Sequence, residues 1–254
     1  MSDSPHDTAR LALACLDLTS LNDDDDARAI DALCARAVSP QGSVAAVCVW
    51  PRFVARARAE LPPSVHVAAV ANFPQGALDA RPALADAAAI AEAGGDEIDL
   101  VLPWRAWATG QRAACSALVA EVRRAHPTLT LKLFLESGAL RDDTLIASAS
   151  TMALDEGVDF LKTSTGKTGV AATPAAATTM LAAIAAHARH ASAGFKASGG
   201  IRTVADARVY IDLTRAALGS VTPQRFRLGA SGLMNDILAV LSDAASSAPS
   251  PSAY

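Results

Sequence analysis

The chain alternates between short apolar runs and longer amphipathic runs for most of its length. Short apolar runs bounded by Gly, Pro, Asp or Asn predict buried strands, and runs with apolar residues three or four apart predict helices. Strands are predicted at residues 11–18, 44–49, 65–71, 97–102, 129–135, 158–162, 194–198 and 225–228. Helices are predicted at 23–37, 51–61, 80–93, 103–125, 142–156, 174–190, from 203 and from 231.

Eight strand-helix units follow one another without a break in composition. A single-domain (β/α)8 TIM barrel accommodates this order, and chains of about 250 residues are typical of it. An open, doubly wound sheet is the alternative, although the sequence lacks the Gly-x-Gly-x-x-Gly fingerprint of a dinucleotide site. We expect the barrel to span residues 1–245 and a flexible Ser/Pro/Ala-rich tail to span 246–254.

Charge and composition narrow the class of partner. The 254-residue chain is 51% hydrophobic and carries a net charge of −4 without a basic cluster, so nucleic acids and anionic membranes are unfavourable partners. The polar N-terminus predicts neither a secretory signal nor a membrane span. The four cysteines are far apart in the sequence, which argues against a disulfide framework or a zinc site. A cytoplasmic protein acting on a small metabolite is expected.

Strand alternation predicts a polar barrel interior. Glu97 and Asp99 share one face of the fourth predicted strand, and the opposite face is apolar. Lys132, Lys162 and Lys196 lie on the corresponding faces of the fifth, sixth and seventh strands. Because apolar faces belong against the outer helices, these charges are expected inside the barrel, where acids and amines must pair. An ordinary barrel interior is rich in Val, Ile and Leu, so this one is predicted to serve chemistry.

Lysine is used sparingly in this chain. Only four of its 22 Lys and Arg residues are lysines, and all four lie within or just after predicted strands: Lys132, Lys162, Lys167 and Lys196. Arginine keeps its proton in proteins, whereas burial or a neighbouring cation can neutralise a lysine. One such lysine would be explained by an ion pair, but the set favours amine chemistry.

Lys162 ends the sixth predicted strand, near the mouth where barrel enzymes keep their sites. A second ammonium on the adjacent strand, that of Lys196, would lower the pKa of Lys162. A neutral lysine attacks carbonyls, and the resulting iminium accepts electrons when a carbon–carbon bond breaks or forms. Asp99, two strands from Lys162, either shuttles protons through a water or forms a plain ion pair with Lys132 or Lys196.

Three glycine-containing loops are predicted to meet at one sector of the barrel mouth. They follow the sixth, seventh and eighth strands and read Thr165-Gly166-Lys167, Gly199-Gly200-Ile201-Arg202 and Gly229-Ala230-Ser231-Gly232. Glycine lets backbone N–H groups approach an anion, and loops after strands seven and eight are the usual phosphate seat of such barrels. The five histidines do not gather at strand ends, so no metal or other cofactor is expected.

At these residues the sequence resembles the 2-deoxyribose-5-phosphate aldolases, which are class I aldolases. The matching segments cover most of the chain and include 16–22, 47–53, 72–76, 96–99, 131–138, 159–167, 195–203 and 227–232. The resemblance implies reversible cleavage of 2-deoxy-D-ribose 5-phosphate to D-glyceraldehyde 3-phosphate and acetaldehyde, in deoxyribose catabolism. It also implies a homodimer.

The resemblance further implies roles for single residues. Lys162 would carry the Schiff base, Lys196 would tune it, and Asp99 would donate and accept protons. Phosphate would be held by Gly166, Lys167, Gly199, Gly200 and Ser231. Thr165, Arg202, Gly229 and Gly232 complete the three loops, and the remaining pocket residues would be Asp17, Thr19, Cys48, Phe73 and Lys132.

Two features at the C-terminal end of the chain qualify this assignment. Where related sequences have a second serine, this chain has Gly232 after Ser231, so one hydroxyl is missing from the expected phosphate site. The chain ends in Tyr254, one of only two tyrosines, and members that resemble it use a C-terminal tyrosine to assist proton transfer.

Two other functions compete with the aldolase. A transaldolase-like transferase would need a ketose donor. A non-catalytic barrel that binds sugar phosphates would keep the loops without an activated amine.

Overall fold

The protein is an eight-stranded parallel barrel surrounded by helices. The computed structural model describes the backbone of residues 3–246 and the side chains of residues 3–242. The barrel strands are β1 Leu16–Thr19, β2 Ala46–Val49, β3 His66–Ala71, β4 Glu97–Val101, β5 Thr130–Phe134, β6 Phe160–Lys162, β7 Gly194–Ser198 and β8 Phe226–Ala230. Each strand pairs in parallel with its neighbours in sequence, and β8 pairs with β1 to close the barrel. The predicted (β/α)8 fold is therefore confirmed.

Helices follow the strands and cover the outside of the barrel. They are α1 Pro5–Ala14, α2 Ala27–Ala37, α3 Val54–Glu60, α4 Ala80–Glu92, α5 Trp104–Ala108, α6 Arg112–Ala125, α7 Ser137–Leu140, α8 Asp143–Asp155, α9 Pro174–Ala186, α10 Val204–Leu218 and α11 Leu233–Ser246. A two-stranded hairpin, Val38–Ser39 with Gly42–Ser43, precedes β2. Most helices begin at the side-chain caps that the sequence contains; Thr173, for example, accepts from the N–H of Ala176.

The prediction of a strand over residues 11–18 was wrong for its first half. Helix α1 occupies residues 5–14, because Ser4 caps its N-terminus and Pro5 takes the first helical position. Its buried residues include Ala9, Ala12 and Leu13, which follow a helical spacing, and the helix packs against α10 and α11. The apolar run of the sequence thus belongs partly to an additional helix and partly to β1.

The single long helix predicted from Pro103 to Ala125 is two helices in the structure. Helix α5 ends at Ala108, and α6 begins at Arg112. Gly110 between them has a φ of 89°, a left-handed conformation that ends a helix and suits glycine. The other predicted boundaries differ from the observed ones by a few residues, as is usual at fraying ends.

Two separate apolar clusters hold the barrel. The larger lies between sheet and helices and includes Ile98, Leu100, Leu131 and Leu133, all fully buried. The smaller lies inside the barrel and consists of Leu21, Cys48, Ala68, Val70, Val101 and Phe134. Successive side chains of one strand therefore belong to different clusters, because they point to opposite faces of the sheet.

Two predictions concern the chain as a whole: that it lacks a membrane span, and that residues 246–254 form a flexible tail. None of the helices between residues 3 and 246 is both long and apolar enough to cross a bilayer. The predicted tail, which includes Tyr254, lies outside the described residues, except that Ser246 is the last residue of α11.

Candidate functional site

Asp99 lies at the centre of a buried network of charges inside the barrel. Its Oδ1 accepts from the ammonium of Lys132 at 2.8 Å, and its Oδ2 accepts from Lys162 at 2.5 Å and Lys196 at 2.8 Å. Strand register explains the meeting, because Lys132 is the β5 partner of Asp99 and Lys196 is the β7 partner of Lys162. The sequence left open whether Asp99 shuttles protons or forms a plain ion pair with Lys132 or Lys196; in the structure it pairs with both of these lysines and with Lys162.

Asp17, Glu97 and Arg227 complete the network below Asp99. Lys196 donates to Asp17, and Lys132 donates to Glu97. The guanidinium of Arg227 donates to Asp17 at 2.6 Å and to Glu97 at 2.9 Å. Each carboxylate therefore bridges at least two cations, which is the arrangement that makes burial of so many charges tolerable.

Among its buried side chains, the network contains one more cation than it contains carboxylates, and the partly exposed His66 also contacts Glu97 at 2.8 Å. Its three carboxylates belong to Asp17, Glu97 and Asp99, and its four cations to Lys132, Lys162, Lys196 and Arg227. An unbalanced buried charge is unfavourable, so one amine is under pressure to lose its proton. Arginine cannot do so, which leaves one of the three lysines.

Lys162 is the lysine whose pKa is lowered. Burial lowers its pKa to about 8; Asp99 opposes this change, and the nearby charge of Lys196 reinforces it. Burial also disfavours the charged form of Lys196, but the carboxylates of Asp17 and Asp99 outweigh it and raise the pKa of that amine. The pKa of Lys132 is likewise raised, by Asp99 and Glu97 against burial.

Lys162 is also the most accessible of the three amines. Its side chain is 3% exposed, whereas those of Lys132 and Lys196 are fully buried. Its Nζ lies 3.7 Å from the centre of the buried Phe134 ring. Lys162 therefore combines a lowered pKa with slight exposure to solvent, and an amine nucleophile needs both a neutral form and access to its substrate.

A cavity of about 650 Å³ lies at the mouth of the barrel, where β1, β6, β7 and β8 end. The structure brings all three predicted loops to its wall, with Thr165–Lys167, Gly199–Arg202 and Ala230–Gly232 as lining segments. Thr19, from the end of β1, also lines the cavity. Lys162 itself is not on this wall, since it lies three residues before Thr165, at the end of β6.

The cavity wall is built to attract an anion. The N–H groups of Gly166, Gly199 and Gly200 have no acceptor among the described residues, and all three glycines have positive φ, between 76° and 92°. Successive N–H groups in such conformations form concave anion sites. The charged side chains that line the described cavity are Arg36, Lys167 and Arg202, and no carboxylate is among them. A phosphate group fits these features.

Several predicted pocket residues lie away from the cavity wall. The Cys48 Sγ lies 3.7 Å from Asp99 Oδ2, and burial raises the pKa of this thiol to about 11. The Phe73 ring packs against Trp50 and Phe134 above the inner apolar cluster. Gly229 is buried in β8 beside Lys196 rather than on the cavity wall.

Gly229→Ala is expected to destabilise the protein and to displace Lys196. A Cβ at this position would lie 2.8 Å from the Cβ of Ser198 and 3.0 Å from the Cε of Lys196, which is overpacking of about 1–3 kcal/mol. Chemical denaturation would measure the loss. Gly232→Ala is the matched control, because a Cβ there meets nothing within 4 Å; equal stability of the two variants would contradict this explanation.

Sequence reasoning missed several residues of the site. Arg227 shares the inward face of β8 with Gly229, so alternation could have identified it. Residues of α2, including Ala29, Leu33 and Arg36, form one wall of the cavity, but no sequence signal relates this helix to the three loops. Glu136 lies two residues after β5, and its turn away from the strand was not predicted from the sequence.

Comparison with known proteins places the chain among aldolases. The model of the family described as DeoC/LacD family aldolase matches residues 11–234. A curated relative, the deoxyribose-phosphate aldolase of Agrobacterium fabrum strain C58, is 45% identical over 243 residues, covering 93% of each chain.

Solved structures share the fold. A protein of Coccidioides immitis, provisionally described as a deoxyribose-phosphate aldolase, is 27% identical, with a TM-score of 0.80 and coverage of 92% of this chain and 87% of its own. The deoxyribose phosphate aldolase of Aeropyrum pernix, described as a unique tetramer, is 23% identical with a TM-score of 0.73, covering 95% and 93% of the two chains. The latter likeness concerns the fold alone.

Proposed function

Since the chain belongs to the DeoC/LacD family of aldolases, we propose that it reversibly cleaves 2-deoxy-D-ribose 5-phosphate to D-glyceraldehyde 3-phosphate and acetaldehyde. The observation that carries the proposal is the buried amine of Lys162, with its pKa lowered to about 8, 2.5 Å from Asp99. A cavity lined by three cations and by N–H groups without an acceptor lies where the loop that follows Lys162 reaches Thr165–Lys167. Amine chemistry and phosphate recognition thus meet at one mouth of the barrel.

In the proposed reaction the neutral amine of Lys162 attacks the C1 aldehyde of the open-chain sugar. The carbinolamine loses water and becomes a protonated imine, which accepts the electron pair of the C2–C3 bond when that bond breaks. The C3 hydroxyl loses its proton at the same time and becomes the aldehyde of D-glyceraldehyde 3-phosphate. The remaining enamine takes a proton at C2, and water hydrolyses the resulting imine to release acetaldehyde and restore Lys162.

The charged neighbours of Lys162 support each proton transfer in this sequence. Asp99 is the carboxylate nearest the amine, so we assign it the proton shuttle, through a water. Lys196 keeps its proton, since its pKa is raised, and its charge favours the neutral form of Lys162. The loops at 165–167, 199–202 and 230–232 would hold the phosphate. The reaction needs no cofactor, because the iminium itself accepts the electrons.

Borohydride reduction in the presence of acetaldehyde tests the proposal directly. An imine on Lys162 would be reduced to a stable ethyl-lysine, and peptide mass spectrometry would locate the added ethyl group. Label elsewhere, or none, would refute the mechanism. Turnover of ketose phosphates in place of 2-deoxy-D-ribose 5-phosphate would instead favour a transaldolase-like transferase.

The pH dependence of kcat/KM should follow the ionisation of Lys162. Only the neutral amine attacks an aldehyde, and the pKa of Lys162 is lowered to about 8. Initial rates are therefore expected to rise about tenfold per pH unit below this value and to level off above it. A profile that is flat between pH 6 and pH 9 would contradict the assignment.

Lys196→Met should move this rising limb to higher pH. The substitution keeps the apolar stem and removes a positive charge that lowers the pKa of Lys162, and it also frees Asp99 to interact more strongly with Lys162. Both changes raise the pKa of the nucleophile. An unchanged limb would mean that Lys196 does not tune Lys162.

Some parts of the expected function remain predictions. Tyr254 would assist protonation of the enamine, and its deletion should slow that step while leaving imine formation unchanged; the residue lies outside the described part of the chain. We propose a catabolic role in the cytoplasm and a homodimer. Sedimentation velocity would test the assembly.

A further inference from the structure

Glu136 is a buried carboxylate that does not belong to the charge network around Asp99. It is 0% exposed, and no lysine, arginine or histidine lies within ion-pair distance of it among the described side chains. Its Oε1 accepts from the Thr168 hydroxyl at 2.9 Å, and its Oε2 accepts from the Thr165 N–H at 3.2 Å. Buried carboxylates are normally paired with cations, so a carboxylate held only by two loop donors calls for an explanation.

The backbone of Glu136 is also unusual. Its φ of 55° and ψ of 50° lie in the left-handed region, which costs a residue other than glycine about 1–2 kcal/mol. The residue lies two positions after the end of β5 and is the N-cap of α7, so this conformation turns the chain sharply between the strand and the helix. Such strain persists where surrounding contacts fix the residue, and it is concentrated at functional sites.

The turn at Glu136 is interlocked with the loop that follows Lys162. Leu135 donates its N–H to the carbonyl of Lys162 at 2.9 Å, and Ser137 donates to Thr163 at 3.0 Å. Further along, Gly138 packs so closely on the loop that a Cβ would lie 2.2 Å from the carbonyl oxygen of Val170. The loop therefore contacts the turn on both sides of the segment Thr165–Lys167.

We propose that Glu136 is a positioning residue that fixes the loop Thr165–Lys167 relative to Lys162 and thereby sets the affinity for the phosphate end of the substrate. The carboxylate occupies the N–H of Thr165, and the Thr165 hydroxyl in turn accepts from the N–H of Lys167 at 3.1 Å. The N–H of Gly166, which lies between these two bonds in the chain, has no acceptor among the described residues. The substrate class rests on the proposed function, but the effect on anion binding does not.

The direction in which Glu136→Gln changes the affinity for phosphate distinguishes a positioning role from simple electrostatic repulsion. A carboxylate near an anion site repels phosphate, so removal of its charge would on that ground alone strengthen binding. If Glu136 instead shapes the loop, Glu136→Gln should weaken binding, because the neutral amide loses the charge-assisted hydrogen bonds that the carboxylate accepts from Thr165 and Thr168. The dissociation constant of inorganic phosphate, measured by calorimetry, is expected to rise about tenfold; an unchanged or lower constant would overturn the proposal.

Steady-state kinetics with a phosphorylated and an unphosphorylated sugar give an independent test of the proposal. In Glu136→Gln the KM for 2-deoxy-D-ribose 5-phosphate should rise about tenfold with little change in kcat, while kcat/KM for unphosphorylated 2-deoxyribose stays constant. Equal losses for both sugars would overturn the proposal. Glu121→Gln, which makes the same charge change at an exposed position on α6, should leave both substrates and phosphate binding unaffected.

A double-mutant cycle tests whether the effect passes through the loop. Thr168→Val removes one of the two hydrogen bonds and should raise the phosphate dissociation constant several-fold. The double variant should bind phosphate about as weakly as Glu136→Gln alone, since both changes release the same loop. Multiplicative effects would overturn the proposal. If Glu136→Gln does not fold, Thr168→Val by itself still tests whether the loop controls phosphate affinity. A wild-type protein that binds phosphate but does not cleave 2-deoxy-D-ribose 5-phosphate would refute only the proposed function.

Discussion

Lys162→Arg is expected to lower kcat by about 10⁴-fold or more and to abolish labelling by borohydride and acetaldehyde. Arginine preserves the positive charge that Asp99 binds at 2.5 Å, so the network around it keeps its ion pair. It cannot, however, lose a proton to become a nucleophile. The loss would therefore measure the amine chemistry and not the charge.

Lys167→Arg is the matched comparison for this experiment. Lys167 lies on the wall of the cavity and is exposed, so the same substitution there leaves the nucleophile intact and should preserve labelling of Lys162. If Lys162→Arg retained more than a small fraction of wild-type turnover, imine formation at this residue would be excluded. Mass spectrometry of the labelled peptides would identify the amine that reacts in each protein.

Asp99→Asn is expected to separate imine formation from the later proton transfers. The carboxylate raises the pKa of Lys162 against burial, so its removal makes the amine easier to deprotonate and labelling at neutral pH should persist. Proton transfer by a positioned carboxylate contributes about 10²–10⁴-fold, so kcat should fall by about 10³-fold. Labelling and kcat falling in the same proportion would contradict a shuttle role for Asp99.

The same substitution should also destabilise the fold. Asp99 accepts from three buried ammonium groups, those of Lys132, Lys162 and Lys196, and the neutral amide leaves these charges inadequately compensated. Loss of one partner from a buried ion pair typically costs about 3–5 kcal/mol, which urea denaturation would detect. Asp31→Asn, which breaks an exposed pair with Arg56, should have little effect on stability.

Local alternation was sufficient to predict which strand residues face the interior. Glu97, Asp99, Lys132 and Lys196 are all fully buried, and the alternate residues of β4 and β5 pack against the helices. The reason is that successive side chains of a strand point to opposite faces, whatever the partner strand is. Prediction failed for residues 11–14, because a short apolar run is compatible with a helix or a strand, and its packing against α10 and α11 decides the outcome.

The amino-acid sequence by itself determined the alternation of eight strands with helices, the polar faces of the strands and the glycine loops after β6, β7 and β8. Only the tertiary structure decided that Asp99 binds three amines at once, that Arg227 joins Asp17 to Glu97, and that Glu136 turns back to hold Thr165. These contacts join strands up to 210 residues apart in the chain. The barrel register and its closure set such distances, and the pKa of Lys162 depends on the charges that closure brings around it.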